Sequence, residues 1–445
     1  MTLDLLSVAS DVVKLALKSG ATAADAMAIN SRDQDVTLRH GVVEQFEQSE
    51  SQDVGLRVFV GHSAAMISGS VLTPDGLLRL VERALAMAKL APPDPFAGIA
   101  SPDQLATHFP DLDLVSSTEL QSDEMQALAK RAEDAALAIT GVARSNGASA
   151  GTNYRQIAMA ISNGFARQWQ RTSFGLSASV VAGEGMAMER DYDGHGANHF
   201  EDMETPEKIG RTAGQRVVAR LHPRKLPSQT APILFDRRIA TSLIGHLVSG
   251  INGAAIARGT SFLKGDMGKT LFSDAVTLVD DPHRKRAPGS RYFDGEGLPT
   301  QRRSLIDKGV LTSWVMDLRA ARQLKLVPTG HGARGLTSPP SASTTNLHLE
   351  AGLRSPEEIM ADFKRGFLVT EFIGSSINMV TGDYSRGASG FWIEDGAIAY
   401  PVSEVTVAGN LRDMFKALEP ANDLQFRTGT NAPSCYLGEM TIAGR

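Results

Sequence analysis

The feature that most constrains this chain is a recurrence. An amphipathic helix, a run of alternating segments and a second helix occur twice within the first 222 residues. In the first occurrence Leu5, Leu6, Val8, Ala9, Val12, Val13, Ala16 and Leu17 recur at helical spacing, and Ser19-Gly20 closes the helix. Alternating segments at 24–29, 36–39, 42–48, 54–60 and 63–70 follow. Turn residues such as Gly41 and Gly61-His62 separate them, which predicts hairpins of an antiparallel sheet. Thr73-Pro74 offers an N-cap and a first-turn proline for a helix over 75–90. Pro92-Pro93-Asp94-Pro95 ends that helix, and a loop runs to about Ser117. The second occurrence has a helix over 119–139 and strand-like segments at 143–149, 156–162, 166–182 and 185–192. Thr205-Pro206 then repeats the cap before a helix over 207–221. The expectation is an N-terminal α+β domain over 1–222, built from duplicated units at 1–91 and 118–222.

The stretch from Pro223 to Pro232 reads as a boundary. Beyond it, short strands at 275–279, 310–316, 345–349, 391–393 and 405–408 alternate with glycine turns. Helices are predicted over 237–248 and over 355–365, the latter opened by Ser355-Pro356. The second half, 230–445, is therefore expected to be a mostly antiparallel β domain, and the whole chain α+β. Its 42% apolar and 21% charged residues are those of an ordinary globular protein with ample core. A net charge of −5 gives no bulk support for nucleic acid as a partner. The basic run His283-Arg284-Lys285-Arg286, set between Pro282 and Pro288, reads as a solvated turn. One cysteine, Cys435, excludes an internal disulfide and fits a reducing compartment. The opening Met-Thr-Leu-Asp-Leu-Leu has no basic segment ahead of an apolar one, and no window approaches the roughly 18 apolar residues that span a bilayer. The expected location is the cytoplasm, with no membrane partner.

Short motifs do not assemble a catalytic set. Gly330-His331-Gly332-Ala333-Arg334-Gly335 has the spacing of a dinucleotide loop, but Leu336-Thr337-Ser338-Pro339-Pro340 follows it and no helix can open there. His195 and His199 have the spacing of a helical metal pair, yet Gly194 and Gly196 flank the first and the segment reads as a turn. Ser261-Phe262-Leu263-Lys264 has the S-x-x-K spacing of some serine hydrolases without any companion motif. Cys435, in a strand-like context, reads as a small buried thiol.

From about Ala257 onward a series of ordered segments resembles the TldD/PmbA family, once called modulators of DNA gyrase. They are Arg258-Gly259-Thr260-Ser261-Phe262-Leu263, Val279-Asp280-Asp281-Pro282, Phe293-Asp294-Gly295-Glu296-Gly297-Leu298-Pro299-Thr300, Pro328-Thr329-Gly330 and Thr345-Asn346-Leu347. Thr381-Gly382-Asp383-Tyr384-Ser385, Pro401-Val402-Ser403-Glu404, Ala408-Gly409-Asn410-Leu411 and Met440-Thr441-Ile442-Ala443-Gly444 continue the series. The first half agrees in its helix and hairpin order and in Glu189-Arg190-Asp191-Tyr192.

The resemblance divides into two branches. The TldD branch carries His-Glu-x-x-x-His before the Arg-Gly-Thr-Ser segment and a later cysteine that joins the histidines on zinc. Counting back from Arg258, the corresponding positions here hold Ile244, Gly245 and Ser249, and the cysteine-bearing segment is missing between Leu424 and Pro433. Isoleucine and glycine have no donor atom, serine is a poor zinc ligand, and His246 stands alone. The chain thus resembles the PmbA, or TldE, branch. That implies a non-catalytic, metal-free subunit, with zinc in a TldD-like partner, of a heterodimeric metallopeptidase that degrades or trims unfolded peptides. A homodimer of the isolated chain is compatible with the same resemblance. Arg258, Asp280, Asp294, Glu296 and Arg334 are candidates for lining the chamber, with structural ion pairs and turns as their alternative role. Three other readings stay open: a self-sufficient metallopeptidase, a regulatory or binding protein of the DNA gyrase or toxin–antitoxin system, and a homodimer whose activity has been lost altogether.

Overall fold

Segments that alternate separately in the sequence run together in the fold. In the computed structural model, which describes residues 4–444, strand β1 (Ala23–Arg39) pairs with β2 (Val42–Val60) along its length, and β2 pairs with β3 (Ser63–Gly69). Met1-Thr2-Leu3, part of the N-terminal reading above, lie outside the described residues. The second unit forms the matching meander from β4 (Val142–Ile161), β5 (Ala166–Ala182) and β6 (Glu189–Ala197). The breaks expected near 30–35, 49–53 and 150–155 do not exist. Alternation of apolar residues reports burial, whereas the backbone ladder continues through polar pairs such as Asn30 opposite Gln156. The two meanders join through antiparallel β1 and β4 into one six-stranded sheet, ordered β3-β2-β1-β4-β5-β6.

Helices cover one face of this sheet as two pairs. Helix α1 (Leu5–Lys18) and α2 (Pro74–Leu90) bury Val8, Val12, Leu80 and Val81 against Ala26, Ala28, Leu56 and Val58. Helix α3 (Ser122–Leu137) and α4 (Pro206–Ala219) bury Met125, Ala129 and Ile209 against Val36, Leu38, Ala148 and Leu176. The repeated Thr-Pro signature does the same job twice: the Thr73 hydroxyl accepts from Gly76 N and that of Thr205 from Lys208 N. Close approach of α3 and α4 requires Gly210, where a Cβ would lie 2.1 Å from the Ala132 carbonyl oxygen.

In the second half, β7 (Gln229–Phe235) and the strands Arg365–Ile377, Asp383–Glu394, Ala397–Asn410 and Cys435–Ala443 close into a barrel. Thr406 opposite Ala443 completes the ring, and β7 lies parallel to Arg365–Ile377. Helices α5 (Arg237–Gly250), α6 (Gly253–Arg258) and α7 (Leu318–Leu324) accompany it. The helix predicted over 355–365 is only Pro356–Met360, because Phe363 and Phe367 are drawn into buried apolar clusters and the chain enters a strand at Arg365. The strand predicted over 310–316 shrinks to Val310–Leu311.

The turn between β1 and β2 is held from outside the sheet. His40 and Gly41 both take the left-handed conformation, at φ of 53° and 72°, as a two-residue hairpin demands. Their amides donate to Glu133 of α3 at 2.8 and 2.7 Å, and Glu133 is buried. Replacing Glu133 with leucine strands both donors and is expected to cost about 2–4 kcal/mol, given the worth of hydrogen bonds to a charged group. Urea unfolding measures this, and an unchanged midpoint would show that the turn needs no help from α3.

Candidate functional site

Helix α5 is where the resemblance locates the metal of the other branch. Asp236 caps it, its carboxylate accepting from Arg238 N at 2.8 Å. Helical spacing then puts Ala240, Leu243, Ile244 and Leu247 on one face, and that face enters the largest apolar cluster together with Phe235, Phe367 and Val369. Ile244 is 2% exposed and has only apolar company in that cluster. Gly245 is exposed, and a Cβ added there would meet nothing within 4 Å. Ser249 is exposed, and its hydroxyl donates back to the Gly245 carbonyl at 2.9 Å. The remaining donor on the helix is His246, half-buried, whose Nε2 has no hydrogen-bond partner and whose ring meets Tyr384 edge-on at 5.9 Å. Burial holds this imidazole below its ordinary value, and the positive Arg386 adds to the effect. Cys435 is buried in a barrel strand, its thiol bonded to the Pro433 carbonyl at 3.3 Å and pushed up by burial. Zinc needs three or four donors. Among the described residues no group of three or more His, Cys, Asp or Glu side chains is placed to hold a metal ion. The residues of this helix do not fit zinc.

Of the five polar residues marked out by the motifs, Arg258 is exposed at the end of α6. The side chains of the other four are buried, each with partners of its own. Asp280 accepts from Thr345 N at 2.6 Å, from its hydroxyl at 2.8 Å and from His331 Nε2 at 3.2 Å. Asp294 accepts from the amides of Glu296, Leu298 and Gly332 at 2.8, 3.0 and 2.9 Å. Glu296 accepts from Leu318 N at 2.7 Å. Arg334, with no exposed side-chain surface, bonds through Nη1 to one oxygen of Asp25 on β1. The other oxygen of Asp25 takes Nε and Nη2 of Arg57 on β2 at 2.8 and 2.6 Å. One carboxylate thus clamps an arginine from each half of the chain. Burial pushes Glu296 up to about 8, with the charge of Asp294 adding, and pushes Asp294 itself up to about 6. Burial lowers Arg57 and Arg334 to about 10.

The glycine-rich loop 330–335 serves this cluster and opens no helix. A Cβ at Gly332 would lie 2.7 Å from Glu296 Oε2 and 2.9 Å from Asp294 Oδ2, so only glycine lets the backbone reach both carboxylates. His195, expected in a turn, lies in strand β6 opposite Leu176, and its Nδ1 accepts from Glu204 N at 3.1 Å. His199 is buried, with Nε2 on the Asp113 carbonyl at 2.9 Å and Nδ1 3.3 Å from Glu201. The two histidines have separate partners. Ser261 donates to the Gly250 carbonyl and accepts from Leu263 N, while Lys264 is exposed. The basic run is an ion-paired turn: Lys285 meets Asp111 at 2.8 Å, and Arg286 meets Asp113 and Glu201 at 2.6 and 3.1 Å. The sequence reading missed Asp25 and Arg57. The cue was present: each is a charge within an apolar run, Ala24-Asp25-Ala26-Met27 and Leu56-Arg57-Val58.

Models of the PmbA/TldA metallopeptidase match three successive stretches: domain 1 at 24–88, the central domain at 116–221 and the C-terminal domain at 228–444. The chain belongs to the PmbA/TldD family. It is 37% identical over 412 residues to the metalloprotease PmbA of Escherichia coli O157:H7, covering 92% of this chain and 90% of that protein. It is 34% identical over 443 residues to a PmbA homologue of Haemophilus influenzae, covering 99% and 96%. A TldD homologue of the same organism is 24% identical over 445 residues, covering 93% and 91%. Among solved structures, a protein of Bacteroides thetaiotaomicron described as a modulator of DNA gyrase superposes over the whole of both chains with a TM-score of 0.92 and 29% identity. TldE of Thermococcus kodakarensis, at 21% identity and a TM-score of 0.86 over 98% and 99% of the chains, shares the fold.

Both buried carboxyls hold protons more readily in the folded state than in the unfolded one. Their ionisation therefore destabilises the fold, and stability falls as pH rises from 3.8 through about 6 for Asp294 and from 4.5 through about 8 for Glu296. Glu296→Gln keeps an oxygen for Leu318 N and removes that group's ionisation, so the fall should be shallower. Urea midpoints taken across this window test it, and a slope identical to wild type would exclude Glu296 as the titrating group.

Proposed function

We propose that this chain is the non-catalytic, metal-free subunit of a TldD/TldE-type heterodimeric metallopeptidase that degrades or trims unfolded peptides. The observation that carries the proposal is the α5 face, where Ile244 belongs to the apolar core and neither Gly245 nor Ser249 offers a ligand. Relatives named metalloprotease PmbA and TldD, and a TldE with the same fold, support the family setting. In this reading zinc and the carboxylate that activates its water belong to the TldD-like partner. This chain supplies wall and subunit contact. A peptide held through its main chain would be chosen weakly by sequence and strongly by its lack of folded structure, since a narrow entrance admits only an extended chain. Among the described residues no helix is long and apolar enough to cross a membrane, which accords with a cytoplasmic peptidase.

Hydrolysis of an unstructured peptide tests the assignment when measured for this chain, for a TldD-like subunit and for their mixture. The mixture should cleave, it should cleave an unfolded protein faster than its folded form, and this chain alone should be inert. Zinc-dependent cleavage by this chain alone would overturn the proposal.

A further inference from the structure

The β1–β2 hairpin extends well past β3. Strand β3 covers β2 only from Val54 to Val60. Residues 42–52 of β2 pair with β1 on one side and, among the described residues, with no strand on the other. All of them are exposed. Such an edge offers unpaired N–H and C=O groups to any extended chain, and natural edges are usually blunted by lysine or proline. This one, Val42-Val43-Glu44-Gln45-Phe46-Glu47-Gln48-Ser49-Glu50-Ser51-Gln52, has no lysine or proline, and its charges are three glutamates, which repel an acidic strand and admit a basic one.

Its charge is distributed unevenly. Glu44 is neutralised by Arg39 at 3.3 Å and Glu50 by Arg32 at 3.1 Å. On the face opposite the helices, the register sets Glu47 beside Asp35 and Ser49 beside Asp33. No ion pair reaches Asp33, Asp35 or Glu47 among the described residues; their partners are the Asn153 amide, the Thr37 hydroxyl at 3.4 Å and the Gln45 amide at 2.5 Å. Burial lifts the Asp35 carboxyl above its ordinary value, Thr37 offsets part of this, and the charge of Glu47 adds to it. Behind these carboxylates the same row continues as Gly151, Gly175 and Gly196 across β4, β5 and β6, so no side chain rises from the floor. The resulting depression of about 520 Å³ leaves room for long side chains.

We propose that the free edge of β2 binds an extended polypeptide strand whose alternate side chains are lysine or arginine. Its main chain extends the β2 ladder, and its cations lie over Asp33, Asp35 and Glu47. Alternation fixes the pattern, because only side chains two residues apart share a face. The intervening side chains fall on the face that carries the exposed Phe46. A second copy of this chain is a poor occupant, since pairing β2 with itself brings Glu44, Glu47 and Glu50 of both copies into a few rungs of one ladder. The biological role rests on the peptidase-subunit reading, whereas the binding does not depend on it.

The test uses the full chain and three short fluorescent peptides read by anisotropy at low salt. One alternates lysine with threonine, one alternates glutamate with threonine, and one is the lysine peptide N-methylated at alternate residues, which keeps its charge but removes one row of donors. The first should bind, and the other two should bind at least about tenfold more weakly. Glu47→Lys should weaken the lysine peptide by a similar factor and improve the glutamate peptide, with an unchanged circular dichroism spectrum. Equal binding of methylated and unmethylated peptides would overturn strand addition, and so would no binding at all. A dimer of the free chain that Glu47→Lys dissociates would make a second copy the occupant and equally sink the proposal. Failure of the peptides alongside intact hydrolysis by the mixture would discard this edge and leave the subunit assignment standing.

Discussion

Asp25 is the residue on which the relation between the two halves turns. It lies on a strand whose neighbours are alanine and methionine, and it meets Arg57 from the adjacent strand and Arg334 from the C-terminal half. Taking three charges out of water costs several kcal/mol each, and their attraction roughly repays it. The net stabilisation of such a triad is small, yet losing one member leaves the rest uncompensated, at a cost of about 3–5 kcal/mol. What the triad fixes is position. It holds Arg334 of the glycine-rich loop against β1, and Gly332 of the same loop lies close to Asp294 and Glu296. The phenylalanine cluster beside it, with Phe293 edge-on to Phe165 at 4.9 Å and to Trp169 at 5.0 Å, packs the same junction.

This arrangement gives the motifs that carry the family resemblance a structural job in this chain. Asp280 and Asp294 tie loops through backbone amides, and Glu296 meets the first turn of α7, much as a capping carboxylate does. These residues face inward. On α5, Ile244 packs into the core while Gly245 and Ser249 face solvent.

Much of the N-terminal half was legible. The duplicated order, the Thr-Pro caps and the whole of β5 followed from periodicity and capping chemistry. The fused strands were not, because the polar residues that interrupt alternation still pair through their backbones. The barrel was only partly visible: β7 and Cys435–Ala443 are short runs containing Pro232 or Gly438, and their strand character comes from neighbours far away in sequence. At the site, counting back from Arg258 led to Ile244, Gly245 and Ser249, three positions on α5. That Ile244 is a core residue came from the structure, where it packs with Ala240, Leu243 and Leu247. Asp25 and Arg57 escaped because a lone charge in an apolar run names no partner; Arg334 is more than 270 residues beyond either.

Crystals of this chain in complex with a TldD-like subunit would decide where the metal resides. Anomalous diffraction measured above and below the zinc absorption edge should show one strong peak, on the partner's helix, and none within bonding distance of residues 244–249 here. A stoichiometric peak coordinated by this chain would contradict the account.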